Sequence, residues 1–210
     1  MCFHLSATAT AKTLEARFNA SFPNATIFEP GFAMNAFAHP KLPVITGEEP
    51  EQLLLFNWGL VPAWVKDEAL AQKLKKSTLN TRIETAFEKP SFREAIRYQR
   101  CIIPADAFYE WQHAGKDKIK FKVKTNQEIF AFAGIWDTWR EWKGFSILTM
   151  PANPLMASIH NTAKRMPFIL TQENEMKWID PERVSKEHLN ELIVPYPEEK
   201  MTAEIVIRDS

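Results

Sequence analysis

The feature that most constrains the fold of this chain is a series of apolar runs of strand length in its middle part. Runs of this length match buried strands and are too short for amphipathic helices. Fourteen prolines mark the many short connections. The six runs are Gln52–Phe56, Cys101–Pro104, Ala107–Trp111, Ile119–Thr125, Ile129–Trp136 and Phe145–Met150. They predict a protein dominated by a mostly antiparallel sheet.

Helical patterns lie toward the edges of the chain. The predicted segments are a helix from Thr10 to Asn19, a helix beginning at Ser91, helices over Thr171–Trp178 and Ser185–Ile193, and a last strand over Glu204–Ile207. There is no internal repeat, low-complexity tract or Gly/Ser linker. The sequence therefore predicts an α+β fold, with residues 1–210 forming a single domain of a mostly antiparallel sheet flanked by short helices.

Composition restricts the compartment. The 210 residues are 45% hydrophobic and 25% charged, an ordinary balance for a globular domain. Two cysteines do not make a disulfide framework, so a reducing compartment is expected. The N-terminus lacks a signal-peptide pattern, and no run approaches the roughly 20 apolar residues of a membrane span. We therefore expect a cytoplasmic protein that does not enter membranes.

The zero net charge hides an uneven distribution. Residues 60–125 hold 14 Lys and Arg against 8 Asp and Glu, whereas residues 166–210 hold 5 against 10. In the segment GKDKIKFKVKT, lysines including Lys118 and Lys120 alternate with apolar residues, so a strand would project them from one side. Lysines about 6.6 Å apart could follow the phosphates of an extended nucleic acid. They could equally protect an edge strand from unwanted pairing.

Cys2 directly follows Met1. Removal of Met1 would leave a residue with a free α-amine and a thiol, which together can capture an aldehyde as a five-membered thiazolidine. The amine titrates near ~7.7–8.0 and the thiol near ~8.5, so both nucleophilic forms exist around neutral pH. Taken alone, a small second residue is better explained by N-terminal processing.

Two further residues suit proton transfer. Glu110 lies in ADAFYEWQH, where aromatic neighbours would desolvate a carboxylate and favour its neutral form, as a general acid or base requires. His160 follows a short apolar segment, where a chain reversal would place its imidazole at a cleft edge. The simpler interpretations are an Arg partner for Glu110 and a turn hydrogen bond for His160.

Polar and aromatic residues in two other segments suit DNA contacts. In LNTRIET, an extended backbone would align Asn80, Arg82 and Glu84 on one face, where Arg82 could hold a phosphate or pair with Glu84. In WGLVPAW, Trp58 is expected in the core, whereas Trp64 could stack on bases or wedge between them.

The ordered series of Cys2, WGLVPAW, LNTRIET, RCIIPADAFYEW, AGIW and a late His with RMPFIL resembles the SOS response-associated peptidase (SRAP) family. The likeness runs from residue 2 to about residue 170. It implies the SRAP fold with a partly barrel-like sheet, and it implies a monomeric protein. It also implies binding to single-stranded DNA at abasic sites, without a metal or cofactor.

The resemblance further implies residue roles. Cys2 would form a thiazolidine with the ring-opened sugar, Asn80 would orient the N-terminal group, and Glu110 would shuttle protons. His160 would help open the sugar ring. The implied DNA contacts are His4, Trp64, Arg82, Arg165, Lys118 and Lys120. The family is also credited with removing the residues ahead of its cysteine.

The chain departs from the family pattern at several places, among them Ala107, where Gly is usual. Phe3 and His4 follow Cys2 where Gly and Arg are usual, so His4 would meet phosphate weakly or when protonated. HNTAKRMP carries three extra residues between His160 and Arg165. Two other functions fit the same residues: an amide hydrolase with an N-terminal cysteine nucleophile, and a non-enzymatic single-strand DNA-binding module.

Overall fold

A computed structural model describes residues 2–207 of the chain. Met1, whose removal the cross-linking hypothesis requires, lies outside the described residues. The strands are β1 (His4–Ala7), β2 (Gly31–Asn35), β3 (Lys41–Thr46), β4 (Leu54–Trp58), β5 (Asn80–Arg82), β6 (Arg100–Ala105), β7 (Ala107–Ala114), β8 (Asp117–Thr125), β9 (Phe130–Trp139), β10 (Trp142–Pro151), β11 (Arg165–Pro167), β12 (Ile169–Leu170) and β13 (Met201–Ile205). The α-helices are α1 (Ala11–Phe18), α2 (Glu68–Ser77), α3 (Ile83–Ala86), α4 (Ala95–Tyr98), α5 (Pro154–Ile159), α6 (Gln172–Ile179) and α7 (Lys186–Asn190).

Two sheets organise these strands. The smaller has the order β13-β8-β7-β1-β2 and is antiparallel throughout. In the larger, β10, β4, β3, β6 and β9 pair in sequence, and β9 pairs again with β10. These five strands therefore close into a barrel. Only β4 and β5 run parallel to their partner β10. The predicted α+β class with a mostly antiparallel, partly barrel-like sheet is confirmed.

Large apolar side chains of the barrel strands are buried and pack against one another. Phe56 packs against Trp136, and Trp58 stacks with Phe145. Gly134 of β9 leaves room for the crossing strands, because a Cβ there would lie 2.3 Å from Ile103 Cδ1 and 3.1 Å from Ser146 O. The expected core position of Trp58 is confirmed, and its indole Nε1 donates to Leu79 O at 2.8 Å.

Most predicted segments form, but several have changed limits. The Ser91 helix is shortened to α4, which begins after Glu94 and has no side-chain cap, because turns around Pro90 occupy the preceding residues. The predicted run at Gln52 becomes β4, two residues later, because Gln52 instead bridges to Ser21. The last strand, β13, starts three residues before Glu204 and ends at Ile205. The side chain of Thr10 caps α1, and the side chain of Ser185 caps α7.

Candidate functional site

Cys2 precedes β1, the strand held between β7 and β2 of the smaller sheet. Asn80, from the first position of β5 in the larger sheet, donates its Nδ2 proton to the Cys2 carbonyl oxygen at 2.8 Å. The Cys2 thiol donates to His4 O at 3.6 Å. Residues 78 positions apart in sequence are thus joined by one hydrogen bond between the two sheets.

The Cys2 side chain is fully buried, which differs from the exposed terminus that the cross-linking hypothesis requires. Burial raises the pKa of the Cys2 thiol far above its ordinary value, and the negative charge of Glu110 raises this pKa further. The physical reason for the burial is that residue 2 lies beside β1, which is held between β7 and β2, while Asn80 contacts it from the larger sheet. While Met1 is attached, Cys2 has no free α-amine, and its thiol stays protonated at neutral pH.

Glu110 lies in β7, on the same face as the buried Phe108. Its Oε1 accepts a hydrogen bond from the Trp111 N–H at 3.2 Å, and its charge acts on the Cys2 thiol. The pairing of His4 with Tyr109 continues toward Glu110 as the chain runs back from His4 to Cys2. The antiparallel register therefore brings a buried carboxylate to residue 2.

The extended LNTRIET segment predicted from the sequence is only partly correct. Asn80 and Arg82 lie in β5, paired in parallel with Ile147 and Thr149 of β10. Glu84 does not share their face, because α3 begins at Ile83. Arg82 is exposed at the end of β5. Glu84 forms its ion pair with Arg165 and not with Arg82.

His160 is the residue after α5 and begins a chain reversal, as the sequence predicted. Its Nδ1 lies 2.9 Å from Arg165 O and 3.3 Å from Arg165 N. When Nδ1–H donates to that carbonyl oxygen, Nε2 carries the lone pair and can accept a proton. The three extra residues of HNTAKRMP form a turn that Lys164 closes by donating to His160 O at 2.8 Å. Arg165 therefore still lies beside His160.

The reversal is also tied to the strand of Glu110. Asn161 accepts from the His113 N–H at 3.1 Å and donates to His113 O at 2.8 Å. Gln112 Nε2 donates to Ser158 O at 2.9 Å. These bonds attach α5 and the turn of His160 to the far end of β7, the strand that carries Glu110.

Arg165 is buried and donates to both carboxylate oxygens of Glu84, at 2.6 and 2.9 Å. It also donates to Thr149 O at 2.7 Å. Burial opposes ionisation of Glu84, but the hydrogen bonds from Arg165, a backbone hydrogen bond and the charges of Arg165 and Arg82 together lower the pKa of the Glu84 carboxyl. Arg165 thus already has a protein carboxylate in the position that a phosphate would take, and its DNA contact stays a prediction.

The outer face of the smaller sheet gathers the remaining basic residues. The Lys120 ammonium lies 4.4 Å from the Tyr109 ring centroid and 5.6 Å from that of Trp111. His4 packs edge-on against Trp111 at 4.9 Å. Burial lowers the pKa of His4, and Lys120 lowers it further, so His4 is neutral at pH 7. Lys118 is exposed where β8 pairs with His113.

Trp64 is 52% exposed in the loop after β4, and its indole Nε1 donates to Pro90 O at 3.3 Å. The loop is fixed from below by Asp137, whose Oδ2 accepts the Ala63 N–H at 2.9 Å. Sequence reasoning missed Asp137, although a lone carboxylate in the apolar run FAGIWDTW was a usable signal. It also missed Phe32, which no local pattern distinguished from a core aromatic residue.

Among the described residues, no group of three or more His, Cys, Asp or Glu side chains could hold a metal ion. Nor does any helix in the described ranges have the length and apolar character needed to cross a membrane. The fold and site together define a mixed α/β protein with a closed five-stranded barrel and a polar site assembled around residue 2.

The family model described as SOS response associated peptidase (SRAP) matches residues 1–209. The chain belongs to this family. It is 40% identical over 169 residues to the abasic site processing protein YoqW of Bacillus subtilis, covering 77% of this chain and 72% of that protein. It is 34% identical over 173 residues to the abasic site processing protein HMCES of Rattus norvegicus, covering 66% of this chain and 48% of that protein.

Solved structures show the same fold. A crystal structure of a protein from Bacteroides thetaiotaomicron superposes with a TM-score of 0.93 at 41% sequence identity, covering 99% of this chain and 93% of that one. A protein from Bordetella bronchiseptica gives a TM-score of 0.83 at 28% identity, with coverage of 99% and 100%.

Proposed function

We propose that this protein processes abasic sites in single-stranded DNA by forming a covalent link through Cys2 after Met1 is removed. The relatives named above as abasic site processing proteins support the reaction class. The observation that carries the proposal is the hydrogen bond from Asn80 to the Cys2 carbonyl, with the Glu110 carboxylate close enough to raise the thiol pKa.

The chemistry follows from the two nucleophiles of a terminal cysteine. The Cys2 amine attacks the C1′ aldehyde of the ring-opened sugar, and loss of water leaves an imine. The thiol then adds to the imine carbon, its proton passes to the imine nitrogen, and the thiazolidine ring closes. Holding amine and aldehyde together gives the rate advantage of an intramolecular reaction. Neither step consumes an oxidant or a cofactor.

Each neighbouring residue has a role in this sequence. Glu110 moves protons between the amine, the departing water and the thiol, and its buried position beside residue 2 supports this role. Asn80 holds the Cys2 carbonyl so that the amine faces the sugar. His160, oriented by the Arg165 backbone, assists ring opening through Nε2. Glu84 fixes Arg165 and through it the imidazole.

The DNA contacts extend away from this centre. Exposed Trp64 and Arg82 support the strand beside the lesion, and Lys118 and Lys120 contact phosphates. His4 adds little charge at neutral pH because its pKa is lowered. We infer that the protein acts as a monomer in the reducing cytoplasm and removes residues ahead of Cys2 itself.

The decisive experiment incubates the protein with single-stranded DNA carrying one abasic site and resolves the products by denaturing electrophoresis. The wild type should give a heat-stable shifted band, and Cys2→Ala should give none. Cys101→Ser is the matched control, because Cys101 is a second buried free thiol away from the site. A heat-stable band that persists in Cys2→Ala would contradict the proposal.

Two further variants separate the alternatives. Cys2→Ser keeps a terminal nucleophile, so an amide hydrolase would retain some activity while a thiazolidine could not form. A pure single-strand binding module would bind abasic and intact DNA equally and give no covalent band. A chain with an extra segment before Cys2 should give no covalent band until that segment is removed, either by the protein itself or by an added protease.

A further inference from the structure

The lysines of β8, here called the lysine row, are Lys118, Lys120, Lys122 and Lys124. This row does not protect a sheet edge. β8 pairs with β7 through Asp117–Val123 and with β13 through Phe121–Thr125, so it is an interior strand. The edge-protection interpretation of this segment is therefore wrong for most of its length. Lysines on the surface of a doubly paired strand need another explanation.

The register aligns these lysines with the site. Lys120 lies opposite Trp111 and Lys122 opposite Tyr109, whose neighbour on the next strand is His4. Successive lysines on this face stand about 6.6 Å apart along the strand. The row therefore begins beside the residues that flank Cys2 and runs toward Lys124, away from them.

An irregularity in the edge strand β2 exposes an aromatic ring beside the far end of the row. Between Leu5 and Ala7 of β1, the pairing shifts by three residues on β2, from Met34 to Gly31. Ala33, the extra residue, has a φ of 48°, a left-handed conformation that is costly for any residue with a Cβ. Such bulges redirect side chains, and here Phe32 is 73% exposed.

Phe32 and the lysines share one open groove. The Lys122 ammonium lies 5.9 Å from the Phe32 ring centroid. A groove of about 670 Å³ is lined by Phe32, Lys122 and Lys124, together with threonines of the α1 entry such as Thr10. Two carboxylates also line it, Asp106 and Glu128. The Asp106 carboxylate accepts hydrogen bonds from the N–H and hydroxyl of Thr8. These bonds reduce the repulsion between this carboxylate and a phosphate.

We propose that this groove is a second binding subsite for single-stranded DNA, in which Phe32 stacks on a base and Lys122 and Lys124 hold the adjacent phosphates. The subsite takes nucleotides on one flank of the lesion and rests on the proposed function for its place in the reaction. An exposed aromatic ring beside a row of cations is the arrangement that binds single strands without sequence preference.

The first test measures equilibrium affinity for intact single-stranded DNA as a function of salt. A plot of the logarithm of the binding constant against the logarithm of salt concentration has a negative slope. Lys122→Ala/Lys124→Ala should reduce the magnitude of this slope by about 1.4, because each lost phosphate contact in single strands contributes about 0.7. The matched control, Lys177→Ala/Lys186→Ala, removes two exposed lysines from α6 and α7 and should leave the slope unchanged. Equal slopes for both double variants would overturn the proposal.

The second test locates the flank with oligonucleotides that carry the abasic site at either the 5′ or the 3′ end. Phe32→Ala should weaken binding by about tenfold for one polarity only, and Phe32→Trp should restore it. Met176→Ala, which removes another exposed apolar side chain, serves as control. Quenching of a 2-aminopurine base should occur at one flanking position and disappear in Phe32→Ala. Losses of equal size for both polarities, or none, would overturn the subsite.

Cross-link yield at saturating DNA is read separately. If the groove variants lose affinity while the wild type forms no covalent product, the proposed function fails and the subsite stands. If the wild type forms the product and the groove variants bind normally, the subsite fails and the proposed function stands.

Discussion

Arg165 and Glu84 form a fork-to-fork pair, and the backbone of Arg165 in turn holds the His160 ring. Glu84→Gln should therefore keep the shape of the pair but lose one of its two hydrogen bonds. We expect about 1 kcal/mol of lost stability at pH 7, a modest value because Glu84 is partly exposed. Chemical denaturation of both proteins measures this difference, and Thr85→Ala provides a neighbouring control.

The same pair sets a pH dependence. The pKa of Glu84 is lowered in the folded state, so its stabilisation is present above the unfolded value near ~4.3 and is lost as pH falls through the folded pKa. The stability gap between wild type and Glu84→Gln should therefore narrow below about pH 4. A gap that stays constant down to pH 3 would show that the charge of Glu84 is not responsible.

Individual candidate residues could be identified from the sequence where local chemistry was unusual. A small second residue, a carboxylate among aromatic residues and a His after an apolar segment each stand out in the sequence as Cys2, Glu110 and His160. The partner of Glu84 was not predictable, because Arg165 reaches it through the pairing of β11 and β5 with β10. The depth of Cys2 also depends on neighbours that no local pattern identifies.

The loop that presents Trp64 is an element whose conformation rests on Gly59 and Asp137. Gly59 has a φ of 131°, and a Cβ at this position would lie 2.7 Å from Lys75 O. A small second core of Val61, Val65, Ala71 and Trp139 lies beneath the loop. The structure thus fixes both ends of the loop while leaving the Trp64 indole in solvent.

Asp137→Ala tests the loop as a unit. The Asp137 Oδ2 accepts a hydrogen bond from the Ala63 N–H, and Oδ1 accepts one from the Thr138 N–H. The substitution therefore removes the carboxylate partner of both N–H groups. We expect single-strand affinity to fall several-fold while the rate of cross-linking at saturating DNA is retained, because the hydrogen bonds that hold Cys2 involve His4 and Asn80 and not this loop. Trp64→Ala should give the same pattern. A fall in the saturating rate alone would contradict a positioning role.

Among the elements, long regular strands were predictable and short ones were not. Strands β6 to β10 have apolar runs that survive in the structure nearly unchanged. The four-residue β1 and three-residue β5 carry no such signal, yet they bring Cys2 and Asn80 together. Their conformation depends on pairing with strands distant in sequence, so a local pattern cannot specify it.

At the scale of the whole molecule, a buried ion pair between Arg17 and Glu175 connects the helix that follows β1 of the smaller sheet with a helix packed on the barrel. Arg17 of α1 donates to Glu175 of α6 at 2.6 and 3.1 Å, and its Nε donates to Ile129 O between β8 and β9. α1 follows β1 of the smaller sheet, whereas α6 packs against β6 and β9 of the barrel. The barrel closure itself was expected only from the family resemblance, because a parallel contact such as β4 with β10 has no sequence signature.

Removing Arg17 should expose the cost of burying Glu175. Burial raises the pKa of Glu175, and only the hydrogen bonds and charge of Arg17 oppose this rise. Arg17→Met therefore leaves a buried carboxylate without its partner, and we expect about 3 kcal/mol of lost stability at pH 7. A carboxyl with a raised folded pKa binds its proton more readily in the folded state, so acid relieves the penalty. The stability deficit of Arg17→Met should be smaller at pH 5 than at pH 7.

Arg17→Met/Glu175→Gln should recover much of the lost stability at pH 7 and remove its pH dependence. Denaturation curves at the two pH values measure both effects. A single variant with the same deficit at both values would show that Arg17 stabilises the fold by packing and not by compensating the charge of Glu175.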